Sequence, residues 1–296
     1  MSPEQQLRVL GDIALSALAV NAVIAGLALF RRRRGRALLA ARWSVVDVWV
    51  GVQVIVTVLL GLSLLIGIVA FGAGVSLTEM GTLSSQRALL YVALPGVVVQ
   101  DLLFFVVPAA CINLRYRLPL RAIGLPPVPR RRDLVAGIAL GLAAIVVSGF
   151  LSAGIDAFAD HFRHVAWVGA AIAVDKNNPV ASVTKMLPKF GAVGLILTVL
   201  GVGVAAPFGE EMLFRGFAFN ALKRRLGLWP GILISSLLFT LPHSYGLGLI
   251  PVFAVGILLA WTYNNSGSLW VTIALHATNN TVQVLLAYFL PNLFRG

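Results

Sequence analysis

Gly209-Glu210-Glu211-Met212-Leu213-Phe214-Arg215-Gly216 places two adjacent carboxylates and an arginine inside a long apolar run, from Leu195 to Leu222. No other stretch of the sequence concentrates charge within an apolar run in this way. Ionisable side chains inside a membrane are costly, so they usually mark a functional site. The stretch therefore predicts a membrane-embedded site centred on one helix.

The composition is that of an integral membrane protein. Of the 296 residues, 59% are hydrophobic and 11% charged, whereas soluble domains carry about 25% charged residues. The net charge of +12 would suggest nucleic acid in a soluble protein. Here the basic residues form short clusters between apolar runs, so no nucleic-acid partner is expected. The single cysteine, Cys111, excludes an internal disulfide and a cysteine-rich metal site.

The apolar runs predict an all-α bundle of about eight transmembrane helices in one polytopic domain, residues 1–296, since about 20 residues cross a bilayer. Four spans fall in residues 1–155, and a motif-bearing core covers 190–290. The predicted spans are Leu10–Phe30, Val45–Ala70, Ala88–Ala110, Asp133–Ile155, Gly191–Leu222, Pro230–Leu247, Leu249–Tyr263 and Ser268–Leu290.

Basic clusters predict the orientation of these spans. Most of the 23 lysine and arginine residues fall in Arg31–Arg42, Arg115–Arg132 and Lys223–Arg225. The positive-inside rule assigns these clusters to the cytoplasm and both chain termini to the outside. The first apolar run precedes its arginines, unlike a secretory signal, so it is expected to be a retained span.

Two connections and one further carboxylate stand out. The proline-rich connector 118–129 is expected to be too broken for a helix. Asp156–Phe190 is the longest predicted extramembrane stretch, and its His161 and His164 are better explained as solvated loop residues than as a metal site. Asp101 lies within the third span, where a helix-packing hydrogen bond is favoured over a place in the cavity or a pair with Arg215.

Spacing distinguishes the two adjacent glutamates. Glu211 and Arg215 are four residues apart and can pair on one helix, whereas Glu210 is rotated about 100° away from Glu211. A desolvated carboxylate without its own cation has the raised pKa that a general base needs. Glu211 is therefore expected to be the anchored residue and Glu210 the working one. The alternative is an ion cluster that only fixes helix packing.

Two further polar motifs lie on later spans. Phe239 and His243 are four residues apart, with Pro242 expected to loosen the local helix. His276 and Asn280 are also four residues apart, and Asn279 is rotated away from their shared face. Each motif alone is also consistent with hydrogen bonding between packed helices.

The three motifs are expected to lie at a similar depth in the membrane. Counted from the cytoplasmic span ends at 1.5 Å per residue, Glu210, His243 and His276 lie roughly 12–21 Å deep. Side chains at one level on three spans can converge on a polar cavity that opens to the cytoplasm. A carboxylate base with imidazoles that hold a metal or stabilise an oxyanion indicates activation of water.

The ordered set Glu210-Glu211-x-x-x-Arg215, Phe239-x-x-x-His243 and His276-x-x-x-Asn280 resembles the signature of the CPBP family. These are the CAAX prenyl endopeptidases and bacteriocin-processing, abortive-infection-type intramembrane proteases. The signature covers the last third of the chain, and eight spans agree with the family fold.

The resemblance implies that Glu210 activates water, that Glu211 with Arg215 orients the water or substrate, and that His243, His276 and Asn280 complete the site. The family is described both as metal-dependent and as a glutamate protease. Glu210, His243 and His276 form a candidate zinc site, but Glu210 as a ligand would leave Glu211 as the base. No organic cofactor is expected.

The expected function is therefore an intramembrane endopeptidase that hydrolyses a membrane-embedded or lipidated peptide or protein. A transporter or proton relay uses similar buried groups, but the two halves of this chain do not look alike, as inverted repeats would. The other alternative is a non-catalytic, immunity-type relative. A bacterial inner membrane is the expected location. Substrate, prenyl recognition and oligomeric state are left open by the sequence.

Overall fold

The computed structural model describes residues 43–72, 94–176, 187–243 and 245–290, and these residues form helices and loops without a strand. The first predicted span, Leu10–Phe30, and the ends of the chain lie outside the described residues. The helices are α1 Val45–Gly72, α2 Leu94–Ala110, α3 Arg131–Phe162, α4 Ala166–Lys176, α5 Gly191–Leu226, α6 Leu228–Thr240, α7 Leu249–Ser266 and α8 Leu269–Phe289.

The helical class predicted from composition is confirmed. Five helical stretches of the described chain are long and apolar enough to cross a membrane: Val45–Ile66, Gly96–Arg115, Arg131–Phe162, Gly191–Leu226 and Leu249–Ser266. The helix α6 with its terminal turn, Leu228–His243, is apolar but shorter. Polar residues of the third motif lower the hydropathy of α8. The count of eight spans stays a prediction.

The start of α1 is held by side chains that the local sequence supplies. Ser44 and Asp47 form a reciprocal cap, in which the Ser44 backbone N–H donates to Asp47 Oδ2 at 2.7 Å and the Asp47 N–H donates to Ser44 Oγ at 3.4 Å. Such an arrangement satisfies N–H groups that have no partner within the helix. The Tyr116 hydroxyl donates to the same Asp47 oxygen at 2.7 Å, which ties the segment that follows α2 to the start of α1.

Helix α3 packs closely along α8 through two glycines one turn apart. A Cβ atom on Gly137 would lie 2.5 Å from the carbonyl oxygen of Val271, and one on Gly141 would lie 2.7 Å from the carbonyl oxygen of Leu275. Small residues at this spacing let helix backbones approach in a membrane protein, where van der Waals packing supplies much of the association energy. The contact positions α8, which carries the third motif.

The proline-rich connector is not entirely irregular, because Leu120–Ile123 forms a short 3-10 turn that ends at Gly124. The connector is fixed against the α7–α8 junction. The Gly124 carbonyl accepts from the Leu269 N–H at 2.9 Å, and the Pro126 carbonyl accepts from Trp270 Nε1 at 2.9 Å. It therefore braces the start of α8.

Two predicted boundaries were wrong. The sixth span was expected to continue to Leu247, but α6 ends at Thr240 and a 3-10 turn, Leu241–His243, follows. Pro242 cannot donate a backbone hydrogen bond, which accounts for the end of the α-helix. The stretch Asp156–Phe190 is also less loop-like than expected, since α3 runs on to Phe162 and α4 follows it.

Candidate functional site

The backbone that carries the first motif is not a regular α-helix. Within α5, the segments Val199–Ala205 and Glu211–Phe219 are π-helical, and Ala206–Glu210 between them is α-helical. Departures of this kind from α-helical geometry occur frequently at functional sites. All nine residues of Glu211–Phe219 are buried, so the widened helix lies at the centre of the core.

Glu211 and Arg215 form the pair that their spacing predicted. Arg215 Nη1 donates to Glu211 Oε1 at 2.9 Å, and both side chains are 0% exposed. Arg215 Nη2 donates to the Gly256 carbonyl at 3.2 Å, and its guanidinium carbon lies 4.4 Å from the centre of the Phe239 ring. The guanidinium is thus held by α5, α6 and α7 at once, so Glu211 is anchored.

His276 lies between the two glutamates. Its Nδ1 is 3.0 Å from Glu211 Oε1, and its Nε2 is 3.6 Å from Glu210 Oε2. The Glu210 side chain is 14% exposed, whereas that of Glu211 is fully buried. The adjacent carboxylates therefore differ as the spacing suggested: Glu211 has an arginine partner, and Glu210 faces His276 from a more open position.

His243 lies in the 3-10 turn after α6, beside the other motif residues. Its ring centre is 5.0 Å from that of Phe239, which is in turn 5.6 Å from that of His276. The Phe239 ring thus contacts Arg215, His243 and His276. The sequence motif includes Phe239 without a chemical role, and these contacts place its ring among the three polar side chains.

Asn280 is directed toward the first π-helical segment. Its Nδ2 donates to the Val202 carbonyl at 3.1 Å, and its Oδ1 accepts from Asn279 Nδ2 at 3.3 Å. Asn279 is buried and bonded to its neighbour, although helical spacing had directed it away from Asn280. The amide of Asn280 therefore links α8 to α5 close to the first motif.

Asp101 lies on α2 against the first motif. A Cβ atom on Gly209 would be 2.3 Å from the Asp101 carbonyl oxygen, so the two backbones are in close contact. The Asp101 side chain is buried, and neither carboxylate oxygen has a hydrogen-bond partner on another described element. The helix-packing hydrogen bond predicted for Asp101 was therefore wrong, and no described pair joins it to Arg215. Its backbone contact with Gly209 instead places Asp101 beside the first motif.

The remaining candidates lie elsewhere. His161 and His164 are exposed and pack near the ring of Phe162. Cys111 is a free, half-buried cysteine that packs against the hydrophobic core.

Glu210 and His276 are the two candidate metal ligands that lie nearest to each other. Glu210 Oε2 and His276 Nε2 are 3.6 Å apart, a separation that suits two ligands of one zinc ion at bond lengths of about 2.0–2.2 Å. Glu211, which contacts His276 Nδ1, is placed like the carboxylates that often orient a metal-binding histidine. However, the described residues contain no group of three or more His, Cys, Asp and Glu side chains arranged to hold a metal. The three-residue zinc set stays a prediction.

Part of the chain matches a known protein family. Residues 192–282 match the family model described as type II CAAX prenyl endopeptidase Rce1-like. This segment carries the Rce1-like signature. It includes every motif residue from Glu210 to Asn280, so the resemblance read from the motifs is confirmed over the last third of the chain. No solved structure matches the chain.

Curated relatives match a region of similar length. An uncharacterized 24.3 kDa protein of Escherichia coli is 36% identical over 107 residues, which are 34% of this chain and 49% of the relative. The protein named "Putative membrane peptidase YdiL" of Bacillus subtilis is 30% identical over 90 residues, 30% of this chain and 37% of the relative. The UPF0177 protein YxdF of Lactococcus lactis is 26% identical over 102 residues, 34% of this chain and 56% of the relative. The chain spans about half the length or less of these relatives, so the likeness extends over only part of each protein.

Proposed function

We propose that this protein is an intramembrane endopeptidase. The observation that carries the proposal is the placement of His276 between Glu210 and Glu211, with Glu211 fixed by the buried Arg215. The match of residues 192–282 to the Rce1-like family and the likeness to a relative named as a membrane peptidase support the same activity.

In the proposed reaction, Glu210 acts as the general base. Its carboxylate takes a proton from a water molecule while the water oxygen attacks the carbonyl carbon of the scissile peptide bond. The proton then passes from Glu210 to the leaving amine as the carbon–nitrogen bond breaks. Glu210 suits this role because it is the more exposed of the two glutamates and pairs with no arginine in the part of the chain that the structure describes.

The other residues would orient and stabilise charge. Glu211, held by Arg215, fixes the ring orientation of His276 through Nδ1, so that Nε2 is directed toward Glu210. His243 and Asn280 are assigned to the oxyanion that forms on the peptide carbonyl, because prepositioned donors stabilise developing negative charge.

A divalent metal, such as zinc, is the alternative way to activate the water. Glu210 and His276 are spaced to share such an ion, with His243 as the proposed third ligand. A bound metal would supply Lewis-acid activation of water. Metal analysis of the purified protein, with Glu210→Gln and His276→Ala compared, tests this: stoichiometric zinc that both substitutions remove would support it.

The substrate class proposed is a membrane-embedded or lipidated peptide or protein, as the name of the family model suggests. The basic clusters Arg115–Arg132 and Lys223–Arg225 favour a cytoplasmic opening of the site in a bacterial cell membrane. The lipid bilayer itself would then present the substrate to the site.

The experiment that tests the proposal compares the membrane peptides of cells that produce the wild type or Glu210→Gln. This substitution removes the base and nearly preserves shape. We expect one or more uncut precursors to accumulate with Glu210→Gln, and not with the control Asp160→Asn, which changes an exposed carboxylate. Wild-type cleavage by a correctly inserted Glu210→Gln protein would overturn the proposal.

A further inference from the structure

The carboxylate of Asp175, on helix α4, binds the loop that follows His243. Asp175 Oδ1 accepts from the Gly246 N–H at 2.8 Å, and Oδ2 accepts from the Leu247 N–H at 2.8 Å. The Gly248 N–H lies 3.4 and 3.3 Å from the two oxygens. Three consecutive backbone N–H groups thus converge on one anionic side chain, an arrangement in which backbone dipoles bind an anion.

Backbone packing reinforces this contact. A Cβ atom on Gly246 would lie 2.1 Å from the Ala171 carbonyl oxygen, so only glycine permits the observed approach of the loop to α4. Leu247, 8% exposed, packs with the fully buried Val168 and with Ala159. The loop 245–248, the end of α3 and helix α4 therefore share a small core of their own, separate from the main core.

The loop adjoins a residue of the proposed active site. His243 ends the 3-10 turn after α6, and its ring lies parallel to that of Tyr245, with centres 6.5 Å apart and an interplanar angle of 19°. Because α6 stops at Thr240, no further turn of that helix follows His243 to restrain its position. The loop beyond His243, which carries Tyr245, is therefore placed to restrain it from that side.

We infer that Asp175 is a positioning residue, which fixes the loop 245–248 against α4 and so holds His243 beside Phe239 and His276. The end of α3 and helix α4 act as a brace for the second motif. Asp175 lies outside the Rce1-like match of residues 192–282, so no motif of that segment assigns it. The effect on catalysis rests on the proposed function, whereas the effect on the loop does not.

The first test measures the loop without any substrate. Hydrogen exchange of the full-length protein in detergent would follow a peptide that covers 245–250 in the wild type, in Asp175→Asn and in the control Asp160→Asn. We expect the amides of Gly246, Leu247 and Gly248 to exchange about tenfold or more faster in Asp175→Asn, because local opening loses its strongest acceptor. Unchanged exchange in a folded Asp175→Asn protein would overturn the inference.

The second test measures catalysis on a precursor identified by the Glu210→Gln comparison. A displaced His243 would lower transition-state stabilisation more than substrate binding, so we expect Asp175→Asn to reduce kcat by about tenfold with KM changed less than about threefold. Asp175→Glu, which keeps both acceptor oxygens, should recover part of kcat. Equal kcat in Asp175→Asn and wild type, with a loop shown to open, would overturn the positioning role.

A substitution in the loop tests the same role without a change of charge. Gly246→Ala forces the loop away from Ala171, so it should reproduce both the faster exchange and the lower kcat. Gly154→Ala, which adds a methyl group with no described residue within 4 Å, should do neither. If Glu210→Gln cleaves normally, the proposed function fails, and the exchange measurements still decide whether Asp175 fixes the loop.

Discussion

Arg215 and Glu211 form an ion pair of 2.9 Å in which both side chains are completely buried. Removing one partner of a buried pair leaves an uncompensated charge and typically costs about 3–5 kcal/mol, whereas removing both costs less. The pair therefore has a measurable signature in stability that is separate from any role in catalysis.

We expect Arg215→Met to lower the thermal unfolding temperature in detergent strongly, and the double substitution Glu211→Gln with Arg215→Met to restore part of the loss. The exposed Arg225, on the same helix, provides the control, because Arg225→Met should leave stability within about 0.5 kcal/mol. A double variant that is less stable than Arg215→Met alone would contradict this account of the pair.

Phe239→Leu is expected to reduce the proposed peptidase activity on the order of 10²-fold, because a displacement of about 1 Å in catalytic groups can have an effect of that size. The substitution removes the ring that contacts Arg215, His243 and His276. Rates of precursor cleavage in purified membranes measure the effect. Phe150→Leu changes a side chain that is 78% exposed and should cleave at the wild-type rate. Similar cleavage rates for the two variants would show that the contacts of the Phe239 ring do not position the catalytic groups.

Gly209→Ala should destabilise the protein by about 1–3 kcal/mol, the range typical of overpacking. Its new methyl group would lie 2.3 Å from the Asp101 carbonyl oxygen, so α2 and α5 would have to separate. Gly61→Ala, whose new methyl group meets no atom of the described residues within 4 Å, is the matched control and should be neutral or stabilising by up to about 1 kcal/mol. Thermal unfolding of both variants in the same detergent distinguishes close backbone packing from a general intolerance of alanine.

Asp101→Asn is expected to leave the protein at least as stable as the wild type. The Asp101 carboxyl group is buried without a hydrogen-bond partner on another described element, and a buried polar group without such partners costs free energy. Unfolding temperatures of the two proteins decide the point. A large loss of stability in Asp101→Asn would show that the carboxylate has a stabilising partner.

Local spacing predicted the contacts within the first two motifs, because each contact joins residues four positions apart. Glu211 and Arg215 are four residues apart, and the pair they form was predicted from that spacing alone. The same holds for Phe239 and His243, whose rings are in contact. The difference between Glu210 and Glu211 also followed from local geometry, since only one of two adjacent residues can face the arginine.

Helix ends were harder to predict, because hydropathy and backbone hydrogen bonding can disagree. The run from Pro230 to Leu247 is apolar throughout most of its length, yet the helix stops at Thr240, where Pro242 cannot continue the hydrogen-bonding pattern. The π-helical segments of α5 were not predicted either. Their wider turns leave no distinct pattern in the hydropathy of this apolar run.

By itself, then, the sequence determined that the chain is a helical membrane protein with its buried charge concentrated on one helix, since composition and short-range spacing set both. Tertiary structure alone decided that His276 lies between the two glutamates, that Asp101 approaches the first motif, and that Asp175 binds the loop after His243. The physical reason is that these contacts join helices distant in sequence. Their distances depend on close backbone packing at glycines, which no local pattern encodes.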